Sequence, residues 1–166
     1  MYDRILVAVD GSPTADRALS EAIQLATKLG ADLVIAHVVN SAYLKYDVGY
    51  FDIRGLIEML IEQGKRIVTD ASAKAEKAGV HARGVVVDDP IGTFDVGFAI
   101  EQTAKEVGAQ AIVLGTHGRR GFRRLFLGSV AESVVRQSTL PVLLVRAVPP
   151  ETENTLTEPL TNLAIA

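Results

Sequence analysis

"AIVLGTHGRRGFRRLFLGSV" occupies residues 111–130 of a 166-residue chain. It opens on four apolar residues, breaks at Gly115, and closes where Ser129-Val130 starts a helix-like pattern. A short apolar run, a loop and a helix, in that order, are the parts of an α/β unit. From Gly115 to Val130 the chain carries four glycines and four arginines, a composition that does not suit a core. The loop therefore has to be explained by position.

Four other apolar runs read as strands, at 5–9, 33–39, 84–87 and 142–145. Their β-branched content without alternation fits parallel strands covered on both faces. Helical periodicity lies between them. Residues 13–29 repeat apolar side chains at Ala18, Leu19, Ala22, Ile23, Ala26 and Leu29, with Ser12 to cap, Pro13 in the first turn and Gly30 to close. Further helices are expected at about 53–78, ended by Gly79, at about 94–107, and from Ser129 to just before Pro141. Strands alternating with helices of this length predict an α/β domain with a parallel sheet, helices on both faces and right-handed crossovers.

Composition narrows the function. The charge is −3, from 17 basic and 20 acidic residues, so there is no general attraction to nucleic acid or to an anionic membrane surface. Cysteine is absent, which excludes disulfides, thiolate metal sites and a cysteine nucleophile. No apolar run approaches a membrane span. Met1-Tyr2-Asp3-Arg4 leads directly into a strand, so a cytoplasmic protein is expected. One domain accounts for residues 1–147, and the polar stretch 148–166 reads as a C-terminal tail, whose Leu156, Leu160, Leu163 and Ile165 offer a docking face. The connection 40–52, with Tyr43, Tyr46, Tyr50 and Phe51, reads either as a lid or partner surface or as aromatics packed on a helix.

The quoted loop starts at the carboxyl end of the fourth strand and finishes at a helix N-terminus. Ligands of open α/β sheets settle outside those strand ends, where strand order reverses. Glycine lets backbone N–H groups approach an anion, and a helix start adds free amides and a positive dipole end. Gly115, Gly118, Gly128 and Ser129 are thus expected to line a polyphosphate pocket, with Arg119 or Arg120 balancing charge and Arg123 and Arg124 solvated. Asp10, after the first strand, suits a ribose hydroxyl or a magnesium ion. Simpler roles stand beside these: Ser129-x-x-Glu132 is also a capping box, the glycines also suit turns, and Asp10 also suits a turn or a helix start. No P-loop is present, and Val9-Asp10-Gly11-Ser12 is not a dinucleotide fingerprint.

Taken together, these residues resemble the universal stress protein family over about residues 1–147. Ile5-Leu6-Val7-Ala8-Val9-Asp10-Gly11-Ser12 is similar to its first strand and turn, and His37-Val38 to the end of its second. Gly115-x-x-Gly118, nine residues, then Gly128-Ser129 matches the G-2x-G-9x-G-[ST] signature of members that bind ATP. Pro141-Val142-Leu143-Leu144-Val145 is similar to the closing strand. The resemblance implies a single open five-stranded sheet of order 3-2-1-4-5, Rossmann-like and akin to the adenine nucleotide alpha hydrolases. It implies adenine near Ala8 and Val38, with Val38 main-chain atoms reading its edge, and Asp10 facing the ribose or Mg2+. Gly115, Gly118, Arg119, Gly128, Ser129 and Val130 would surround the phosphates of ATP, with ADP and AMP as alternatives. It also implies a homodimer through the edge strand at 142–145.

No catalytic set stands out. His117 is the loop's single histidine and suits either a general base or a backbone-bonded loop residue; His37 and His81 are weaker candidates. The leading expectation is an ATP-binding regulator or sensor in stress response, with slow turnover at most and an unidentified protein partner. An ATP-hydrolysing or adenylyl-transferring enzyme and a nucleotide-independent scaffold are the alternatives.

Overall fold

A computed structural model describes residues 2–40, 53–89, 95–117 and 127–146. Chain order is β1 (Arg4–Ala8), α1 (Pro13–Leu29), β2 (Asp32–Asn40), α2 (Ile53–Lys77), β3 (Ala82–Asp89), α3 (Val96–Glu106), β4 (Ala111–Gly115), α4 (Ser129–Gln137) and β5 (Val142–Val145). The five strands form one parallel sheet of order β3-β2-β1-β4-β5. The sheet order implied by the family resemblance is therefore the observed one.

Strand β1 lies at the centre because its side chains are apolar in both directions. Ile5, Leu6 and Val7 are all 0% exposed, and each contributes about 1.5–3 kcal/mol by burial. Ile5 and Val7 join Leu33, Ile35 and Val113 under α1 and α2. Leu6 joins Val34, Ala36 and Ile112 under α3 and α4. The first two crossovers thus cover one face and the last two the other. That reversal opens a crevice between β1 and β4 at their carboxyl ends.

Helix α1 follows its local instructions. Ser12 is the N-cap, its hydroxyl accepting from Ala15 N at 3.2 Å, Pro13 is the first helical residue, and Gly30 closes the helix at φ 65. Strands β2 and β3 run further than their apolar cores, ending in polar residues such as Asp32, Asn40 and Asp88 that still pair in the ladder. Helix α3 begins at Val96 behind an Asp95 cap, whose carboxylate accepts from Phe98 N at 3.1 Å. Of the expected connection at 40–52 Asn40 belongs to β2, and the rest, the start of the third helix at residue 94 and the tail at 148–166 lie outside the described residues.

Candidate functional site

A cavity of about 640 Å³ sits at the carboxyl ends of β1, β2 and β4, against the start of α4. That volume lies in the range of small-molecule sites. Seven of the nucleotide-binding residues expected from sequence line it, Ala8, Asp10, Val38, Gly115, Gly128, Ser129 and Val130, as do His37 and His117. Gly118 and Arg119, with Arg120, Arg123 and Arg124, lie outside the described residues.

Asp10 stands directly after β1, half-buried. Its Oδ1 accepts from Ser12 N at 2.9 Å, so the carboxylate shapes its own turn as well as lining the cavity. Gly11, between them, takes a left-handed φ of 77 that other residues resist. Among the described residues Asp10 is the one carboxylate on the cavity wall, and no cluster of three or more acidic or histidine side chains encloses a metal. A single carboxylate is consistent with magnesium carried chiefly by phosphates.

The two described glycines of the loop have reasons the loop does not show. A Cβ at Gly115 would stand 2.8 Å from Thr14 Cγ2 and 3.2 Å from the Thr14 backbone, so glycine here lets α1 pack on β4. The place a Cβ would take is thus filled by α1, while Gly115 also lines the cavity. At Gly128 a Cβ would stand 2.9 Å from the Thr116 carbonyl, which also accepts from Gly128 N at 2.8 Å. Gly128, not Ser129, is the N-cap of α4, and among the described residues no side chain caps that helix. The Ser129–Glu132 capping box is therefore not formed. Glu132 bonds to Arg136 one turn on, and Ser129 is exposed at the first helical position.

The amides at the beginning of a helix have no intrahelical partner, and at α4 no side chain among the described residues replaces it. This end faces the cavity through Ser129, Val130 and Ala131. The wall can therefore accept an anion through main-chain N–H groups and the helix dipole.

Histidine behaves differently from the general-base reading. His117 Nδ1 bonds to Thr116 Oγ1 at 3.0 Å, and its Nε2 is shut off from solvent without a partner among the described residues. The one bond described for the ring is thus to a side-chain hydroxyl and not to the backbone. His37 is buried, 8% exposed, and its Nδ1 lies 2.8 Å from the Val9 carbonyl. A carbonyl only accepts, so Nδ1 carries the proton. His81 is on the surface beside Asp32 at 3.3 Å, away from the cavity wall.

Sequence reading missed Thr116, Leu60 and Gln63 on the wall. Leu60 has the spacing of an apolar α2 face, yet it is only partly buried and lines the cavity because that helix reaches the rim. Periodicity reports a face, not where along the sheet a helix ends.

Known proteins agree with this architecture. The model of the "Universal stress protein family" matches residues 1–146. Universal stress protein YxiE of Bacillus subtilis is 33% identical over 156 residues, covering 88% of this chain and all of the relative. A solved structure from the same family in Burkholderia pseudomallei superposes with a TM-score of 0.73 at 36% identity, over 88% of this chain and 97% of that one. The universal stress protein of Archaeoglobus fulgidus in complex with dAMP gives 0.61 at 27% identity, over 87% and 98%. A universal stress protein in complex with cAMP gives 0.59 at 27% identity, over 87% and 97%. With a family model spanning nearly its whole length and a relative covered from end to end, this chain belongs to the universal stress protein family.

Proposed function

We propose that the cavity binds an adenine nucleotide, preferentially ATP with magnesium. The bound nucleotide then changes the surface that the protein presents to a protein partner. The observation that carries this reading is the bare start of α4 meeting Asp10, Ala8 and Val38 on one wall. Adenine is assigned to the end formed by Ala8 and Val38, with the ribose or the metal at Asp10. The phosphates are assigned to Gly115, Gly128, Ser129 and Val130, together with Gly118 and Arg119 of the same signature. Magnesium supplies charge neutralisation between phosphate oxygens when bound; Asp10 is the residue to hold it. The dAMP and cAMP complexes of relatives support the adenine nucleotide class.

Regulation is favoured over catalysis because the His117 ring is turned to Thr116 and its other nitrogen is closed off. Phosphoryl transfer needs a positioned base or water-orienting group. We read residues 1–147 as the nucleotide-binding domain, 148–166 as a tail, and the protein as a cytoplasmic homodimer. Strand β5 supports pairing: it is an edge strand of four apolar residues with Leu143 44% exposed. No helix among the described residues is long and apolar enough to cross a membrane.

Acid extraction of the purified protein followed by nucleotide chromatography tests the reading, together with calorimetric titration of MgATP, ADP, AMP and cAMP. An adenine nucleotide in the extract, or saturable binding with MgATP tightest, is expected. A nucleotide-free protein that binds none of the four rejects the reading.

A further inference from the structure

We infer that His37 is a positioning residue that holds the Asp10 turn in place for the ligand, an inference that rests on the nucleotide reading of the cavity. Val9, immediately before Asp10, has both of its main-chain polar groups held by β2. Its N–H donates to Ala36 O at 2.9 Å, and its carbonyl accepts from His37 Nδ1 at 2.8 Å. The first bond belongs to the backbone, whereas the second is made by a side chain and depends on residue identity.

The turn beyond Val9 needs such a hold. Gly11 takes a left-handed φ of 77, Ser12 N donates to Asp10 Oδ1, and Ser12 in turn caps α1. A rotation of the Val9–Asp10 peptide, whose carbonyl His37 holds, would therefore swing the Asp10 carboxylate and the start of α1 together. His37 sits where it can prevent this, buried and on the cavity wall.

The ring is itself held from the other side. Gly64 of α2 lies against it so closely that a Cβ at position 64 would stand 2.8 Å from His37 Cδ2. Glycine in a helix interior is unfavourable by about 1 kcal/mol relative to alanine. Here it makes room for the imidazole. Helix α2, β2 and β1 thus meet at one side-chain hydrogen bond, and that bond ends on the residue before Asp10.

Amide geometry provides the test. The Nδ2 of asparagine occupies the place of imidazole Nδ1, while glutamine carries its amide one bond further out. Exchange of the Ser12 amide proton, followed by NMR without ligand, reads the Asp10 turn directly. His37→Asn should match the wild type, whereas His37→Gln and His37→Leu should exchange about threefold to tenfold faster, the scale of one net hydrogen bond. MgATP affinity should weaken by about the same factor in the Gln and Leu variants, and much less when Asp10→Asn is already present. Gly64→Ala, which keeps the helix and displaces the ring, should act in the same direction if a His37 variant fails to fold. Unchanged Ser12 exchange in His37→Leu and Gly64→Ala overturns the inference, as do failure of asparagine to restore it and equal affinity losses with and without the Asp10 carboxylate. Absence of nucleotide binding by the wild type rejects the cavity reading instead, and Ser12 exchange then still decides the role of His37.

Discussion

Helices α1 and α4 start at the same rim of the sheet, after neighbouring strands, and start differently. At α1 the chain satisfies itself: Ser12 Oγ accepts from Ala15 N, Pro13 has no N–H to satisfy, and Ser12 and Thr14 are buried. At α4 the cap is a glycine, the first helical residue is an exposed serine, and the first-turn carboxylate of Glu132 is engaged with Arg136. Orphan amides at a helix start require partners. Where the chain provides them the helix start is a piece of construction; where none of the described residues does, the start can take a ligand.

The largest expected effect separates the two through Gly115, which belongs to the cavity wall by position but to α1 by contact. Gly115→Val drives its side chain into Thr14. Overpacking of this kind costs about 3 kcal/mol, more than an exposed cradle position would. Urea unfolding should show the midpoint fall with the slope unchanged. Full stability with nucleotide affinity alone lost would return Gly115 to the open side of the comparison.

The two ends of α4 extend the contrast, for the end away from the cavity is anchored. Glu101 of α3 is 3% exposed, and its Oε1 accepts from Lys105 Nζ at 2.8 Å and from Thr139 N at 3.3 Å, in the turn after α4. The Lys105 hydrogen bond holds the Glu101 carboxyl below its ordinary value, against burial, with Thr139 assisting. A carboxyl depressed in the folded state stabilises above its unfolded value of 4.5, and the contribution fades as pH falls through the lower folded value. Glu101→Gln should cost about 2 kcal/mol at neutral pH, and the gap between the two proteins should shrink below about pH 4.5. A thermal-melting series over pH checks this; a gap constant down to pH 2 would show that the charge is not what holds the turn.

Much of this was legible locally. The β-branched runs located all five strands, and the Ser12-Pro13 start and Gly30 stop bounded α1 to the residue. The strand order came from resemblance, since periodicity carries no pairing information. Contacts between distant segments left no local trace: nothing near position 115 announces Thr14, and nothing near position 64 announces His37. Helix α4 starts at Ser129 as expected, but its capping pattern misled for the opposite reason. Ser129-x-x-Glu132 is a sound capping box by pattern, yet the Gly128 N–H to Thr116 O bond places the N-cap one residue earlier, and Glu132 turns to Arg136. Local propensity permits both arrangements, and the end of β4 selects one.

The smallest effects on the fold decide the most, and they come as a matched pair. Ser12→Ala removes a cap and should lower stability by about 1 kcal/mol. The same substitution at Ser129 removes a hydroxyl that caps nothing, so stability should stay within about 0.5 kcal/mol of the wild type. Nucleotide affinity should reverse the ranking. Ser129→Ala takes a donor away from a phosphate and should weaken MgATP about tenfold, the equivalent of 1.4 kcal/mol. Ser12→Ala should weaken it less, through Asp10 alone. Melting curves and titrations on the two variants place each serine on one side of the contrast. A Ser129→Ala protein that melts earlier while binding nucleotide unchanged would make its hydroxyl a structural group, and the bare helix start would then lose its claim to be a ligand site.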